Sequence, residues 1–153
     1  MYKNNERIPD VIAELRVTYV PEIRPENLVR IHSKEEVIAV ALPRWREVDA
    51  RESMQIMLLN PANGVLGMRE ISVGGIDCTA VDVRIIIQTA ILANAVGVIM
   101  IHNHPSGSLK PSEADRRLTN EAKAALETCK LKLLDHVIIN GSGDCASFTD
   151  GDW

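Results

Sequence analysis

The stretch Val96-Gly97-Val98-Ile99-Met100-Ile101-His102-Asn103-His104-Pro105-Ser106-Gly107, continued by Pro111-Ser112-Glu113-Ala114-Asp115, decides how this chain is read. Its first half is apolar and β-branched, which predicts a buried strand. At strand period two the imidazoles of His102 and His104 leave that strand on the same face. Two neutral imidazoles on one face chelate a metal ion. Asp115 arrives after a Pro/Ser/Gly loop, at the start of a predicted helix, and offers a carboxylate oxygen to complete the set. Three protein ligands leave one position open for water, which is the layout of a catalytic zinc rather than a structural one. Each feature alone has a plainer reading. A histidine pair at a strand end is often only hydrogen-bonded, and an Asp shortly after a Pro often only favours a helix start.

Working outward, the chain punctuates itself clearly. Residues 13–20 alternate enough to predict a strand, stopped by Pro21. Ser33 and Glu36 stand at capping-box spacing before a short helix through Val37, Ile38, Val40 and Ala41, which Pro43 ends or bends. The segments 53–59 and 65–73 flank Asn60-Pro61-Ala62-Asn63-Gly64, whose Asn-Gly step predicts a hairpin. Asp82 is positioned to cap a helix reaching Ala95 that is apolar nearly all round, with Arg84 and Gln88 as exceptions, so burial on most sides is expected. Ser112 opens the next helix, in which Ala114, Leu118, Ala122, Ala125 and Cys129 repeat at helical spacing as the packing stripe, with Asp115 beside it. A strand over 133–140 and a short edge over 146–148 close the chain. Strands and helices alternate in the second half while a hairpin sits in the first, so the expected class is α/β with a mixed sheet and helices on both faces.

The order His102, His104, Pro105, Ser112, Asp115 matches the pattern H-x-H-P-x6-S-x-x-D, and in this the chain resembles the JAMM, or MPN+, metalloproteases. Within that superfamily the run His102 to Gly107, then Pro111-Ser112 and Asp115, then Leu134-Asp135-His136-Val137-Ile138-Ile139, is similar to the RadC branch of JAB-domain proteins. The similarity also takes in the Gly74-Gly75 step and the Asn94-Ala95 approach to the metal strand. It runs from about Arg51 to the end, which divides the chain into an N-terminal strand and helix extension (1–50) packed on a core domain (51–153). Longer RadC proteins carry an upstream helix-hairpin-helix domain. Roughly fifty residues leave no room for a second domain of ordinary size, so the chain resembles the short, single-domain forms.

The resemblance implies a three-layer sandwich akin to that of cytidine deaminases, a bound Zn2+ and hydrolysis of a peptide or isopeptide bond. It also implies a general base at the head of the first hairpin strand, which here is Glu52. Glu70, inside the second hairpin strand, is the competitor, and spacing alone does not separate the two. The matching serine of the family directs its hydroxyl at the oxyanion, a role that falls to Ser112, whose other reading is a plain N-cap. Pro105 and Pro111 are expected to fix the loop between them. Alternation sends Asp135 and His136 to opposite faces, so at most one can approach the site, as a hydrogen-bond partner of a ligand histidine; a satisfied core polar pair is the favoured reading. His32 reads as a surface residue.

Composition bounds the function. The net charge of −4 carries no electrostatic footprint for a polyanion, so direct nucleic-acid binding is not expected, although the RadC name makes a DNA-repair accessory role the alternative. A non-catalytic MPN scaffold is the third reading, weakened by the intact ligand set. Cys78, Cys129 and Cys145 are odd in number and lack a C-x-x-C pair, so buried, reduced thiols and a cytoplasmic setting are expected. Neither a leader nor a membrane span is read from the chain. The expected partner is a protein or peptide substrate, with a ubiquitin-like tail as one form, and a homodimer is compatible. Other zinc folds with an H-x-H fail on what is missing. Metallo-β-lactamase-like enzymes need Asp-His one residue beyond the pair, where Ser106-Gly107 stand, amidohydrolase barrels need roughly 200 residues or more, and deaminases need H-x-E with P-C-x-x-C.

Overall fold

The computed structural model describes residues 20–74 and 81–149. The strand expected over 13–20 therefore lies outside the described residues except for Val20, and Cys78 lies outside them too. The elements run α1 (Lys34–Ala41), β1 (Ser53–Leu59), β2 (Val65–Val73), α2 (Val83–Leu92), β3 (Gly97–Asn103), α3 (Glu113–Thr128), β4 (Lys132–Ile139) and β5 (Cys145–Ser147).

The hairpin β1–β2 forms where the Asn-Gly step predicts it. Asn60 closes the turn with its side chain, whose Oδ1 accepts from the backbone N–H groups of Ala62 and Gly64 at 2.9 and 2.8 Å. Asn63 takes φ 56°, a left-handed conformation that Asn tolerates. The five strands form one sheet in the order β2-β1-β3-β4-β5. Strand β3 pairs antiparallel with β1 and parallel with β4, so the sheet is mixed. The parallel pair is joined through α3, the crossover that such a pair requires.

Strand alternation separates two cores. On the front face Met54, Ile56, Leu58, Val98 and Met100 pack against Val83, Ile86 and Ala90 of α2 and Ala122 and Leu126 of α3. On the back face Met57, Leu59, Ile99, Ile101, Val137 and Ile139 pack against Val37, Ile38 and Ala41 of α1 and against Trp45. The fold is the three-layer α/β sandwich with a mixed sheet and helices on both faces that the sequence predicts. The central β1 and β3 are buried along their whole length, which accounts for their near-continuous apolar runs.

Four expectations are corrected. Helix α2 stops at Leu92, because Asn94 adopts φ 53° and the Ala95 N–H turns back to Ala90 O at 3.0 Å. It is also buried on one side only, with Ile91 and Leu92 52% and 42% exposed, since an outer-layer helix has the sheet on a single flank. The packing stripe of α3 holds at Leu118, Ala122 and Ala125 but fails at its two ends. Ala114 and Cys129 are exposed, while Asp115, Ala122 and Leu126 are the buried positions. The two described thiols are free, but Cys129 is exposed and Cys145 only half-buried. Among the described residues no helix is long and apolar enough to cross a membrane.

Candidate metal centre

Strand β3 ends at the centre of the sheet, and its last front-face position is His102, buried opposite Met54 of β1. His104 follows two residues later. The His104-Pro105-Ser106-Gly107 turn then reverses the chain, with the Gly107 N–H on His104 O at 2.9 Å and Gly107 at φ 78°, where glycine meets no steric cost. Helix α3 enters this corner N-terminus first. Ser112 caps it by accepting from the Asp115 N–H at 3.1 Å, and the Asp115 carboxylate accepts from the Ser112 N–H at 2.7 Å and its hydroxyl at 2.6 Å. The reciprocal capping box fixes the carboxylate while leaving it directed at the histidines.

The three side chains converge. One ligand atom from each of His102, His104 and Asp115 lies within 4.8 Å of the others, close enough to share one ion. His102 Nε2 and His104 Nε2 are 2.9 Å apart, and they stand 3.3 and 3.6 Å from the Asp115 carboxylate oxygens.

Proton positions follow from the partners. His104 Nδ1 lies 2.6 Å from Ser108 O, and a carbonyl only accepts, so Nδ1 carries the hydrogen and Nε2 of the neutral ring is left with a lone pair. His102 Nδ1 lies 2.8 Å from His136 Nε2, whose own ring reaches Thr119 through Nδ1 at 2.6 Å. Two lone pairs and a carboxylate facing one point fit a cation, and this donor set suits a divalent metal. Without a cation the same gap favours a proton instead. The hydrogen bond to Asp115 raises the His104 pKa against the opposing effect of burial, with Ser108 O and the charges of Asp115 and Glu52 adding to it. Burial would raise Asp115, but hydrogen bonds involving His102, His104 and Ser112 outweigh it and hold the carboxyl far below its ordinary range. Burial pushes the His136 ring down to about 3.

The two candidate bases sit on opposite faces. Glu52 immediately precedes Ser53, and alternation through Met54 puts it on the front face, at the β1 end that lies beside the end of β3. It is half-buried, and its charge reaches His104. Glu70 pairs with Gln55 and is exposed, lining a back-face hollow of about 270 Å3 with Arg46, Glu47, Arg51, Ser53 and Val73. His32 is exposed beside the start of α1.

A family model for the RadC-like JAB domain matches residues 31–153. The chain belongs to the RadC-like JAB domain family. A UPF0758 protein of Flavobacterium johnsoniae is 38% identical over 113 residues, 74% of this chain and 49% of that protein. A UPF0758 protein of Pseudomonas fluorescens is 40% identical over 105 residues, 69% of this chain and 46% of that protein. The chain thus spans about half the length of these curated relatives. A UPF0758 protein of Vibrio cholerae serotype O1 is 31% identical over 153 residues, 99% of this chain and 91% of that protein.

This RadC-like JAB domain also gives site roles to Asn103 and Thr119, which sequence reasoning passed over, and to His136, for which the core was one of two readings. Asn103, between the two histidines, points to the back face and is fully buried. Its Nδ2 donates to Val48 O and Arg51 O at 2.6 and 2.7 Å, and its Oδ1 accepts from the Ser53 N–H and hydroxyl at 2.8 and 3.2 Å. It therefore clamps the loop that carries Glu52. His136 and Thr119 support His102 from behind, and Phe148 stacks on His136 at 4.6 Å between ring centroids. Asp135, on the back face, accepts from Ser147 Oγ at 2.7 Å, so the Asp135-His136 pair serves the core and the site at once. The signals available were Asn103 alternating between ligands and Thr119 one turn after Asp115.

Proposed function

We propose that the domain is a zinc-dependent metallopeptidase or isopeptidase of the JAMM type. The observation that carries this reading is the convergence of two Nε2 lone pairs and one carboxylate at the front end of β3. Membership of the RadC-like JAB domain family supports it. Zinc, when bound by His102, His104 and Asp115, would supply Lewis acidity and lower the pKa of a water molecule to about 7.

The protein groups then divide the acid-base work. Glu52 accepts a proton from the attacking water as its oxygen bonds to the amide carbon, and returns that proton to the amine as the carbon–nitrogen bond breaks. The Ser112 hydroxyl, turning from Asp115, donates to the developing oxyanion, and its place at the helix cap preorganises it. Asn103 holds the Glu52 loop at its working distance. The substrate is a protein or peptide, including an isopeptide bond to a ubiquitin-like tail. The net charge of −4 favours such a substrate over direct contact with a polyanion.

The test is cleavage of a peptide and isopeptide-linked library by the zinc-loaded protein, read by mass spectrometry as new termini. Glu52→Gln keeps the ion and the fold but lowers cleavage by ~10²- to 10⁴-fold, while Glu70→Gln changes little. Equal cleavage by Glu52→Gln and wild type would remove Glu52 from the mechanism. Zinc-loaded protein that cleaves nothing in the library would leave the scaffold reading in its place.

A further inference from the structure

We propose that Thr119 and His136 form a proton-ordering chain that holds His102 in the one neutral tautomer able to bind a cation. The proposal rests on the reading of His102 as a metal ligand and assigns a positioning role to two residues behind it.

The direction of the chain is set at one end by a group that cannot donate. Thr119 stands one helical turn after Asp115, and its Oγ1 lies 2.6 Å from the Asp115 backbone carbonyl and 2.6 Å from His136 Nδ1. The hydroxyl has a single hydrogen, and the carbonyl takes it. His136 Nδ1 must then donate to Thr119 Oγ1, which leaves Nε2 of a neutral ring as an acceptor. His102 Nδ1, 2.8 Å away, supplies the hydrogen. His102 Nε2 is consequently a bare lone pair, 2.9 Å from His104 Nε2 and 3.3 Å from Asp115 Oδ1.

The chain closes on itself. It starts at the Asp115 carbonyl and ends at the atom facing the Asp115 carboxylate, so one turn of α3 supplies both a ligand and the anchor that orders another. His136 is fully buried and stacked on Phe148 with an interplanar angle of 13°, which holds its ring nitrogens on these two partners. The other ligand histidine is ordered independently, by Ser108 O. Removing the Thr119 hydroxyl leaves His136 Nδ1 facing a methyl group. A buried N–H without an acceptor is tolerated less well than a bare acceptor, so the His136 proton moves to Nε2 and donates to His102 Nδ1. That forces the His102 hydrogen onto Nε2, the ligand atom.

The experiment uses Thr119→Val, nearly isosteric, with Thr119→Ser as the conservative rescue. In the metal-free, full-length protein, long-range ¹H–¹⁵N spectra of labelled histidine read the His102 tautomer directly, and zinc affinity is measured by chelator competition. Wild type and Thr119→Ser give the Nδ1–H form of His102. Thr119→Val shifts it toward Nε2–H and weakens zinc by about 10- to 100-fold, with Thr119→Ser restoring the affinity. A second arm guards against misfolding. In a His136→Gln background, where the amide oxygen accepts from His102 without help from residue 119, adding Thr119→Val changes affinity no further. Thr119→Val protein with the Nδ1–H tautomer and wild-type affinity would overturn the proposal, as would full additivity in the double variant. If wild type binds no zinc, the metal reading fails while the tautomer spectra still judge the chain.

Discussion

His102 and Asn103 are consecutive on β3, are both buried, and point to opposite faces of the same sheet. Asn103, on the back, has its amide oxygen and nitrogen engaged by four hydrogen bonds, all to the segment that leads into β1. His102, on the front, has one ring nitrogen committed to His136, while the other faces a second imidazole nitrogen and a carboxylate. One face is closed by its own partners, and the other is complete only with a positive charge between its ligands. The difference teaches where function lies: a buried polar group with all its partners holds structure, whereas converging acceptors mark a binding site.

The comparison breaks first under acid. In metal-free protein His136 has its pKa depressed to about 3 from an unfolded value of 6.5, so the stability it contributes is present above pH 6.5 and is lost as pH falls toward 3. His104 is shifted the other way, and its contribution is fully present below pH 6.5 and lost as pH rises through its raised folded value. Asp115 contributes above its unfolded pKa and loses that contribution only in strong acid. Between about pH 4 and 6 the slope belongs to His136, about 1.4 kcal/mol per pH unit. Urea midpoints across that range, with chelator present, measure it. His136→Gln should flatten the curve, and an unchanged slope in that variant would assign it elsewhere.

Asn103→Ala sharpens the contrast. It leaves the Val48 and Arg51 carbonyls without their buried donor and should cost about 2–4 kcal/mol in denaturant unfolding. Zinc affinity should change only a few-fold, because the ligands sit on the other face. Hydrolysis should fall further than binding, since the Glu52 loop is released. Lost affinity with unchanged stability would reverse the two roles.

The smallest effect compares two helix caps. Ser33 caps α1 on the back, accepting from the Glu36 N–H at 3.3 Å, and Ser112 caps α3 on the front. Each change to Ala should cost ~1 kcal/mol of stability. Only Ser112→Ala should also weaken zinc, by ~10-fold, because it frees the Asp115 carboxylate. Equal zinc affinity in the two variants would mean that the cap does not hold the ligand.

Much of this was legible in the sequence because the signals are local. The hairpin strands fall at 53–59 and 65–73 as their apolar runs and the Asn-Gly turn predict, and Ser33, Asp82 and Ser112 stand at the helix starts they were read to cap. The convergence of His102, His104 and Asp115 is likewise foreshadowed by strand alternation and loop length. The failures come from tertiary context. The apolar surround of α2 suggests burial, yet only one layer lies beside it, and Ile91 and Leu92 remain exposed. The start of the α3 stripe is misread because a buried carboxylate, Asp115, takes a place that apolar periodicity assigns to Ala114. Thr119 and His136 meet through an α3–β4 contact that no local pattern encodes, and Asn103 works against a loop some fifty residues earlier.

Zinc stoichiometry measures the central claim most directly. Elemental analysis of purified protein after zinc loading and desalting should find about one ion per chain in the wild type, and His102→Ala, His104→Ala and Asp115→Ala should each lose it while keeping a cooperative unfolding transition. Stoichiometric zinc surviving all three substitutions would contradict the account, because the ion would then be held by other residues and the converging lone pairs of β3 would not be its site.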